Sequence, residues 1–501
     1  MSAVLRETHS AVVVMLGDRA YKLKKPVDLG FLDFRDREAR RVACEREVEL
    51  NRRLSPDVYL GVADVTGPGG RVCDHLVVMR RMPDDRRLSW LVLEGTDVDD
   101  GLWRLAHLLA AFHAGVECPP AAIVAAGRDA LATRWAANTA GLVEHGRGIV
   151  ASDDVWAVDA LAARYLAGRG PLFAQRIRDG RAVDGHGDLL ADDIFLLDDG
   201  PRVLDCIEFN DDLRFGDALA DVAFLAMDLE RLGRPDLAER FLAAYREHAD
   251  DAWPASATHH HVAYRAQVRA KVAAIRAGQG DEPAAAEARH LLGMARRHLA
   301  VGAVRLVLVG GLPGTGKSTL ADGLAGALGA TVIRSDVVRK ELAGLRPDQP
   351  SPAGFGEGLY TPDATDATHR EMLRRTEVAL GLGEVVVLDA SWGSERRRRE
   401  ARAVATRTSS DLVELRCRVP ADTAAGRLRH RRRLGGDASD ATPEIAAELA
   451  RGEDAWPAAA VVDTSSGPAE ALVAAVGVIA GDEPPPGGCE RPNCPCDQGP
   501  W

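Results

Sequence analysis

The chain opens on alternation. "AVVVMLGDRAYKL" (residues 11–23) sets apolar against polar positions with the period of two that marks a half-buried strand. A charged helical stretch follows, "FRDREARRVACEREVELNRRL", and leads into mostly helical sequence. Near residue 301 the pattern changes. "VRLVLVGG" is a short apolar run rich in β-branched residues, the signature of a buried parallel strand. "STLADGLAGALG" then reads as a helix, "TVIRSD" as a second strand and "EVVVLDA" as a third. Strands alternating with helices predict a parallel α/β sheet. The join, "AAAEARHLLGMARRHLA", is itself helical. From Gly481 on, "GDEPPPGGCERPNCPCDQGPW" has the composition of a disordered tail. The expected domains are therefore 1–300, 301–482 and a Cys/Pro-rich tail at 483–501.

Composition narrows the class. With 501 residues, 46% hydrophobic and 28% charged, the sequence is that of an ordinary globular protein. A net charge of −12 argues against nucleic acid or an anionic membrane as the main partner. Lysine is rare: Lys22, Lys24, Lys25, Lys271, Lys317 and Lys340 stand among 63 basic residues, so each lysine is informative. No apolar run approaches the ~18 residues of a membrane span, and no signal-peptide pattern is visible. Cys44, Cys73, Cys118, Cys206 and Cys417 are scattered, as in a reducing cytoplasm. Cys489, Cys494 and Cys496 cluster in the tail; three cysteines without a neighbouring histidine are an incomplete zinc set. Nothing in the sequence specifies an oligomeric state.

"GLPGTGKST" (Gly311 to Thr319) fits the phosphate-loop pattern G-x-x-x-x-G-K-[ST], with Gly311, Gly316, Lys317 and Ser318 in the fixed positions and Gly314 within the curl. Such a loop turns backbone N–H groups inward onto a phosphate. Lys317 would neutralise the β/γ-phosphates of ATP, Ser318 would ligate Mg2+, and the helix N-terminus beneath would add its dipole. In "RSDVVRKEL", Asp336 is expected to end the second strand and take the proton of an attacking hydroxyl, with Arg339 one turn on and reaching the transferred phosphoryl group. Asp389, ending "EVVVLDA", suits the magnesium shell. In "GRLRHRRRLGGD", Arg427 and Arg431 are four apart and share a helix face, as a lid over nucleotide phosphates requires. Each has a plainer reading: a helix cap for Asp336, a turn residue for Asp389, a solvated face for the arginines. The stretch resembles small P-loop kinases, a group that includes gluconate kinase-like, chloramphenicol phosphotransferase-like and polynucleotide 5′-kinase proteins.

Residues 1–300 carry a second constellation. A protein-kinase-type site needs a strand lysine, a helix glutamate to hold it, a catalytic aspartate and a magnesium aspartate. "RAYKLKKP" supplies Lys22, with Lys24 on the same strand face as the fallback; "CEREVELNRRL" supplies Glu47, with Glu45 and Glu49 as competitors. "LVVMRRMP" fits a strand entering an interlobe hinge. "VDGHGDLLADDIF" supplies Asp188 as proton acceptor and "VLDCIEF" supplies Asp205 for Mg2+. This half resembles aminoglycoside phosphotransferases and the choline-kinase-like group. The whole chain resembles a bacterial architecture in which such a domain is fused to a P-loop kinase. The resemblance implies a two-lobed kinase-like domain followed by a parallel-sheet P-loop domain.

Two departures stand out. No G-x-G-x-x-G covers the ATP phosphates, leaving "ETHSAVVV" and Ser10 to serve. Five residues after Asp188, where an asparagine is usual, stands Asp193, which adds a carboxylate beside Asp188 and Asp205. Without metal such a cluster repels and one pKa rises; with Mg2+ the extra oxygen is an acceptable ligand. Together these features describe an ATP-dependent phosphotransferase with two nucleotide sites, acting on hydroxyl groups of small metabolites. A second reading leaves the N-terminal domain as a degenerate binding or regulatory module. A third is an aminoglycoside resistance enzyme. Glu208, Asp217 and Asp221 stand either in an acceptor pocket or as loop and capping residues.

Overall fold

The computed structural model describes residues 4–7, 11–28, 33–349, 351, 356–434, 439 and 441–481, apart from the side chains of Arg432 and Leu434. The chain splits into two units. The first runs through Gly302 except for Ala167–Arg169; the second takes Ala167–Arg169 and the chain from Ala303 on. Ser10 and the cysteine tail lie outside the described residues.

The first unit begins with a five-stranded antiparallel sheet: β1 (Val4–Glu7), β2 (Ala11–Leu16), β3 (Arg19–Lys24), β4 (Tyr59–Thr66) and β5 (Val72–Arg80), in the order β1-β2-β3-β5-β4. The alternation read in the sequence is the β2–β3 hairpin, which pairs Lys22 with Val13 on one side and Val77 on the other. The charged segment forms the helix Arg37–Asn51, capped by Asp36, whose carboxylate accepts from the Ala39 N–H. Its inner face buries Ala43, Cys44, Glu47, Val48 and Leu50, and Cys44 and Val48 join Met15, Tyr59, Val77 and Met79 in one apolar cluster. Glu47 is thus carried into the core by its place on an apolar stripe.

The rest of this unit is helical, interrupted by two small ribbons: β6 (Ala182–Asp184) with β9 (Phe215–Asp217), and β7 (Ile194–Leu197) with β8 (Gly200–Val203). They carry the His186-Gly187-Asp188 loop and Asp205. Beneath them runs the helix Ala218–Arg231, almost wholly buried. The antiparallel sheet and this helical part are the two lobes of a kinase-like domain.

The second unit is a parallel sheet: β10 (Arg305–Gly310), β11 (Thr331–Arg334), β12 (Val386–Asp389), β13 (Asp411–Arg418) and β14 (Ala460–Asp463), in the order β11-β12-β10-β13-β14. Leu306 through Gly310 are all buried, as a strand flanked on both sides and covered on both faces requires. The helix Lys317–Leu328 packs Leu320, Ala321 and Leu324 onto Val307, Val309 and Val387. Ligands of such sheets bind beyond the carboxyl ends of the strands, where the order switches direction. β10 delivers the phosphate loop there and β12 delivers Asp389. One boundary differs from the sequence reading. β11 stops at Arg334, and Asp336 lies in the first turn of the helix Ser335–Leu342.

Candidate active sites

In the first unit, strand and helix register bring five charged groups together. Lys22 Nζ lies 2.9 Å from Glu47 Oε1 and 2.5 Å from Asp205 Oδ1. Lys24 Nζ lies 2.6 Å from the other Glu47 oxygen and also pairs with Glu208. One buried carboxylate therefore serves two lysines. The two differ in access: the Lys22 side chain is 14% exposed, that of Lys24 only 2%. Lys22 is the more accessible of the two, and Lys24 is an internal support. Burial works against the charge on Glu47, but the two ammonium groups outweigh it and its pKa is lowered. Glu45 and Glu49 stay at the surface, paired with Arg41 and Arg46.

Asp205 is held by groups that no local motif announces. Its φ of 66° is left-handed, a strained state for a residue with a side chain. Its N–H donates to the Tyr59 hydroxyl at 3.0 Å, and the next N–H, of Cys206, donates to Asn51 Oδ1 at 2.9 Å. The end of the helix that bears Glu47 thus also fixes the Asp205 segment.

The His186-Gly187-Asp188 loop rests on Asp221. The N–H groups of His186 and Gly187 each donate to its carboxylate at 2.8 Å, and His113 Nε2 lies 3.1 Å away. His186 is fully buried; burial lowers its pKa to about 4, so it is neutral and donates from Nε2 to the Leu204 carbonyl at 3.0 Å. Asp217 caps the helix Ala218–Arg231 and grips Arg176 at 2.5 Å. Of the three residues left open between acceptor pocket and scaffold, Asp217 and Asp221 are scaffold and Glu208 is bound to Lys24.

The Asp188 carboxylate makes no hydrogen bond or ion pair among the described residues. Burial raises its pKa to about 6, with Asp205 adding to the rise and Arg269 and Arg265 opposing it. Asp193 is raised further above the carboxylate range, first by burial and then by repulsion from Asp205 and Asp188. The three carboxylates form the repelling cluster that the sequence implied. Among the described residues no three His, Cys, Asp or Glu side chains are already arranged as a metal cage. Mg2+ in a nucleotide site commonly uses one or two carboxylates plus phosphate and water; Asp193, with no ion pair among the described residues, and Asp205, held in its charged form by Lys22, fit that role.

In the second unit a cavity of about 860 Å3 opens over the phosphate loop. Gly314, Gly316, Lys317, Ser318 and Thr319 line it together with Asp336, Arg339, Asp389, Arg427 and Arg431. Gly311 lies in the loop behind it. The curl needs glycine at Gly314, where φ is +81° and an added Cβ would sit 2.6 Å from the Ala424 carbonyl oxygen. Lys317 Nζ donates to the Leu312 carbonyl at 3.0 Å, bent back over the loop. Asp389 is buried and its pKa is raised, chiefly by burial, with Lys317 and a hydrogen bond from Ser318 opposing and Asp336 reinforcing the rise. Asp336 lines the cavity and makes no hydrogen bond or ion pair among the described residues.

Arg339 shares the cavity with the phosphate loop and Asp336. Its guanidinium donates to the Leu359 carbonyl at 2.9 Å and Thr365 at 3.0 Å and stacks on Tyr360 at 4.7 Å. Both hydrogen bonds come from one terminal nitrogen, and the buried Nε has no hydrogen-bond partner among the described residues. Arg427 is tethered to the Thr464 carbonyl at 2.8 Å, beside the loop. Arg334, Arg397, Tyr360 and His369 also line the cavity and were not singled out in the sequence. Arg334 adjoins the "SD" pair; nothing local marks the other three.

A family model described as "Phosphotransferase enzyme family" matches residues 7–258, half of the chain. The chain belongs to that family. It is a kinase, and a second model described as "AAA domain" matches residues 306–452, the span of the phosphate loop, Asp336 and Asp389. An uncharacterized protein of Mycobacterium tuberculosis (strain ATCC 25618 / H37Rv) is 46% identical over 470 residues, covering 94% of this chain and 93% of its own. Among solved structures, the GDP complex of aminoglycoside 2′-phosphotransferase-IIIa aligns with 59% of this chain and 93% of its own, at 15% identity and a TM-score of 0.34. A gluconokinase from Sinorhizobium meliloti 1021 aligns with 35% of this chain and 91% of its own, at 19% identity and a TM-score of 0.27.

Proposed function

We propose that this phosphotransferase has two ATP sites, one in each unit, and that each transfers the γ-phosphoryl group of ATP to a hydroxyl group of a small metabolite. The observation that carries the reading is the pair of open carboxylates, Asp188 and Asp336, each beside its own nucleotide machinery. In the first site Lys22 binds the ATP phosphates, Glu47 orients Lys22, and Asp188 accepts the hydroxyl proton. Asp193 and Asp205 hold Mg2+. In the second, the loop from Gly311 to Thr319 cradles the phosphates, Asp336 accepts the proton, and Ser318 and Asp389 hold Mg2+. Arg427 and Arg431 cover the phosphates, and Arg339 shapes the cavity wall. At both sites Mg2+ supplies charge neutralisation on the phosphates when bound.

The second reading, a single active P-loop site with a degenerate binding or regulatory N-terminal module, draws on Asp193, which crowds the first site with charge. Nucleotide stoichiometry separates active binding from a lost site. Calorimetric titration with a non-hydrolysable ATP analogue should give two nucleotides per chain, and one in Lys317→Ala or in Lys22→Ala. A stoichiometry of one that disappears in Lys317→Ala removes the first site from the proposal.

A further inference from the structure

The acceptor side of the N-terminal site is set by a helix that the sequence reading did not use. The helix Ala255–Gly278 runs beneath the Asp188 loop and carries Arg265 and Arg269, four apart and on one face. Arg265 donates to the Gly187 carbonyl, the residue before Asp188, at 3.3 Å, and to the Ala220 carbonyl at 3.0 Å. Its guanidinium is held in place over Phe224 at 4.6 Å and Tyr264 at 5.6 Å. Arg269, one turn on, is half-buried and makes no hydrogen bond or ion pair among the described residues. Of the cations acting on Asp188, Arg269 is the strongest and Arg265 the next.

The carboxylates around this face point the same way. A cationic acceptor, such as an amino sugar or a quaternary ammonium alcohol, needs free carboxylates to receive it. Asp184 and Asp211 are taken by Arg214, Asp217 by Arg176, Asp221 by the loop amides and Glu208 by Lys24. Asp212 is exposed, with Arg134 within its electrostatic reach, and Asp188 and Asp193, unpaired among the described residues, occupy the proton-accepting and Mg2+ positions of the proposed site. A guanidinium is the side chain suited to a phosphate or carboxylate.

We infer that the acceptor at the N-terminal site is an anion, a hydroxylated phosphomonoester or carboxylate, whose charge is bound by Arg269 beside Arg265 while its hydroxyl faces Asp188. In the transfer, the acceptor oxygen forms a bond to the γ-phosphorus of ATP and the bond from that phosphorus to the β,γ-bridging oxygen breaks. The hydroxyl proton passes to Asp188 and ADP leaves. This assignment rests on the proposed activity of the first site and makes an aminoglycoside acceptor the disfavoured one.

The test uses the full chain carrying Lys317→Ala, so that transfer from γ-labelled ATP reports the N-terminal site. The acceptors are sugar phosphates, sugar acids, the parent neutral sugars, and amino sugars with choline. Label is expected in the phosphate or the acid arm, and which of the two identifies the anion. Adding Arg269→Gln should raise the acceptor KM about tenfold or more, with the KM for ATP little changed, and with kcat little changed when measured well above the acid limb set by Asp188. Arg269→Lys should recover part of the loss, and the thermal transition of each variant shows that it folds. Transfer to neutral or amine acceptors as efficient as to anions overturns the inference and leaves the activity standing. An unchanged acceptor KM in Arg269→Gln does the same. No transfer to any acceptor in the Lys317→Ala chain removes the two-site reading, and this inference with it.

Discussion

Glu47→Gln removes one charge from the most tightly tied cluster in the first unit. The Glu47 side chain is fully buried and bridges Lys22 at 2.9 Å and Lys24 at 2.6 Å. Glutamine keeps the shape but leaves two ammonium groups facing a neutral amide. Lys22 retains Asp205 at 2.5 Å and Lys24 retains Glu208, so neither becomes an isolated buried charge. Removing one partner of a buried ion pair costs about 3–5 kcal/mol, and the retained partners place this variant near the lower figure. For a domain of this size that lowers the melting temperature of the first unit by about 5–10 °C. The pH sign follows from the lowered pKa of Glu47. Its contribution is present above the ordinary carboxylate pKa and is lost as pH falls through the lower folded value, so the deficit is complete at pH 7. Calorimetry of the full chain at pH 7, with the ATP KM measured alongside, reads both consequences. A second change, Lys24→Met, deletes an under-compensated cation and should return part of the stability but none of the ATP affinity. A Glu47→Gln chain that melts with the wild type would mean that the bridge is not formed in solution, and the account of Lys22 would go with it.

Three more outcomes can be checked. The Asp188 pKa of about 6 places the acid limb of kcat/KM at the N-terminal site near pH 6, because the protonated carboxyl cannot accept a proton; a profile flat down to pH 5 contradicts that role. The same raised pKa means that the folded chain holds the proton longer than the unfolded one, so stability declines as pH rises from about 4 to 6, and Asp188→Asn should flatten that slope in pH-dependent melting. Asp193→Asn removes one member of the repelling carboxylate cluster: the nucleotide-free chain should melt higher at pH 7 and retain activity while needing more Mg2+, whereas lost ATP binding would show Asp193 to be essential to a differently built site. Gly314→Ala forces a Cβ to 2.6 Å from the Ala424 carbonyl oxygen in a left-handed residue, and calorimetric titration should show one nucleotide site lost and the other kept.

Much of the scaffold was legible because its signals are local. Period-two alternation marked the β2–β3 hairpin, and a β-branched apolar run followed by a glycine-rich loop marked β10 and the phosphate loop. Lys22, Glu47 and Asp205 could be named because kinase chemistry requires those residue types in that order, and the contacts at 2.9 and 2.5 Å join them. What escaped is what only tertiary contact creates. Tyr59 and Asn51 lie 146 and 155 residues from the N–H groups that they accept, and no pattern in either stretch says so. Lys24 looked interchangeable with Lys22 because both lie on one strand face; exposure separates them, and exposure belongs to the fold. Asp221 read equally as pocket or scaffold until its hydrogen bonds to the loop amides were seen. Arg339 was assigned by its one-turn spacing from Asp336, and its contacts with Tyr360, Leu359 and Thr365 could not be read from that spacing.

The central claim is that one chain carries two working transfer sites. It is tested most directly by following label from γ-labelled ATP into a metabolite panel with wild type, Asp188→Ala, Lys317→Ala and the double variant. Each single variant should lose one product, or one component of the rate, and keep the other, and the double variant should transfer to nothing. If Asp188→Ala leaves every product and rate as in the wild type, the N-terminal site does not catalyse transfer and the two-site account is wrong.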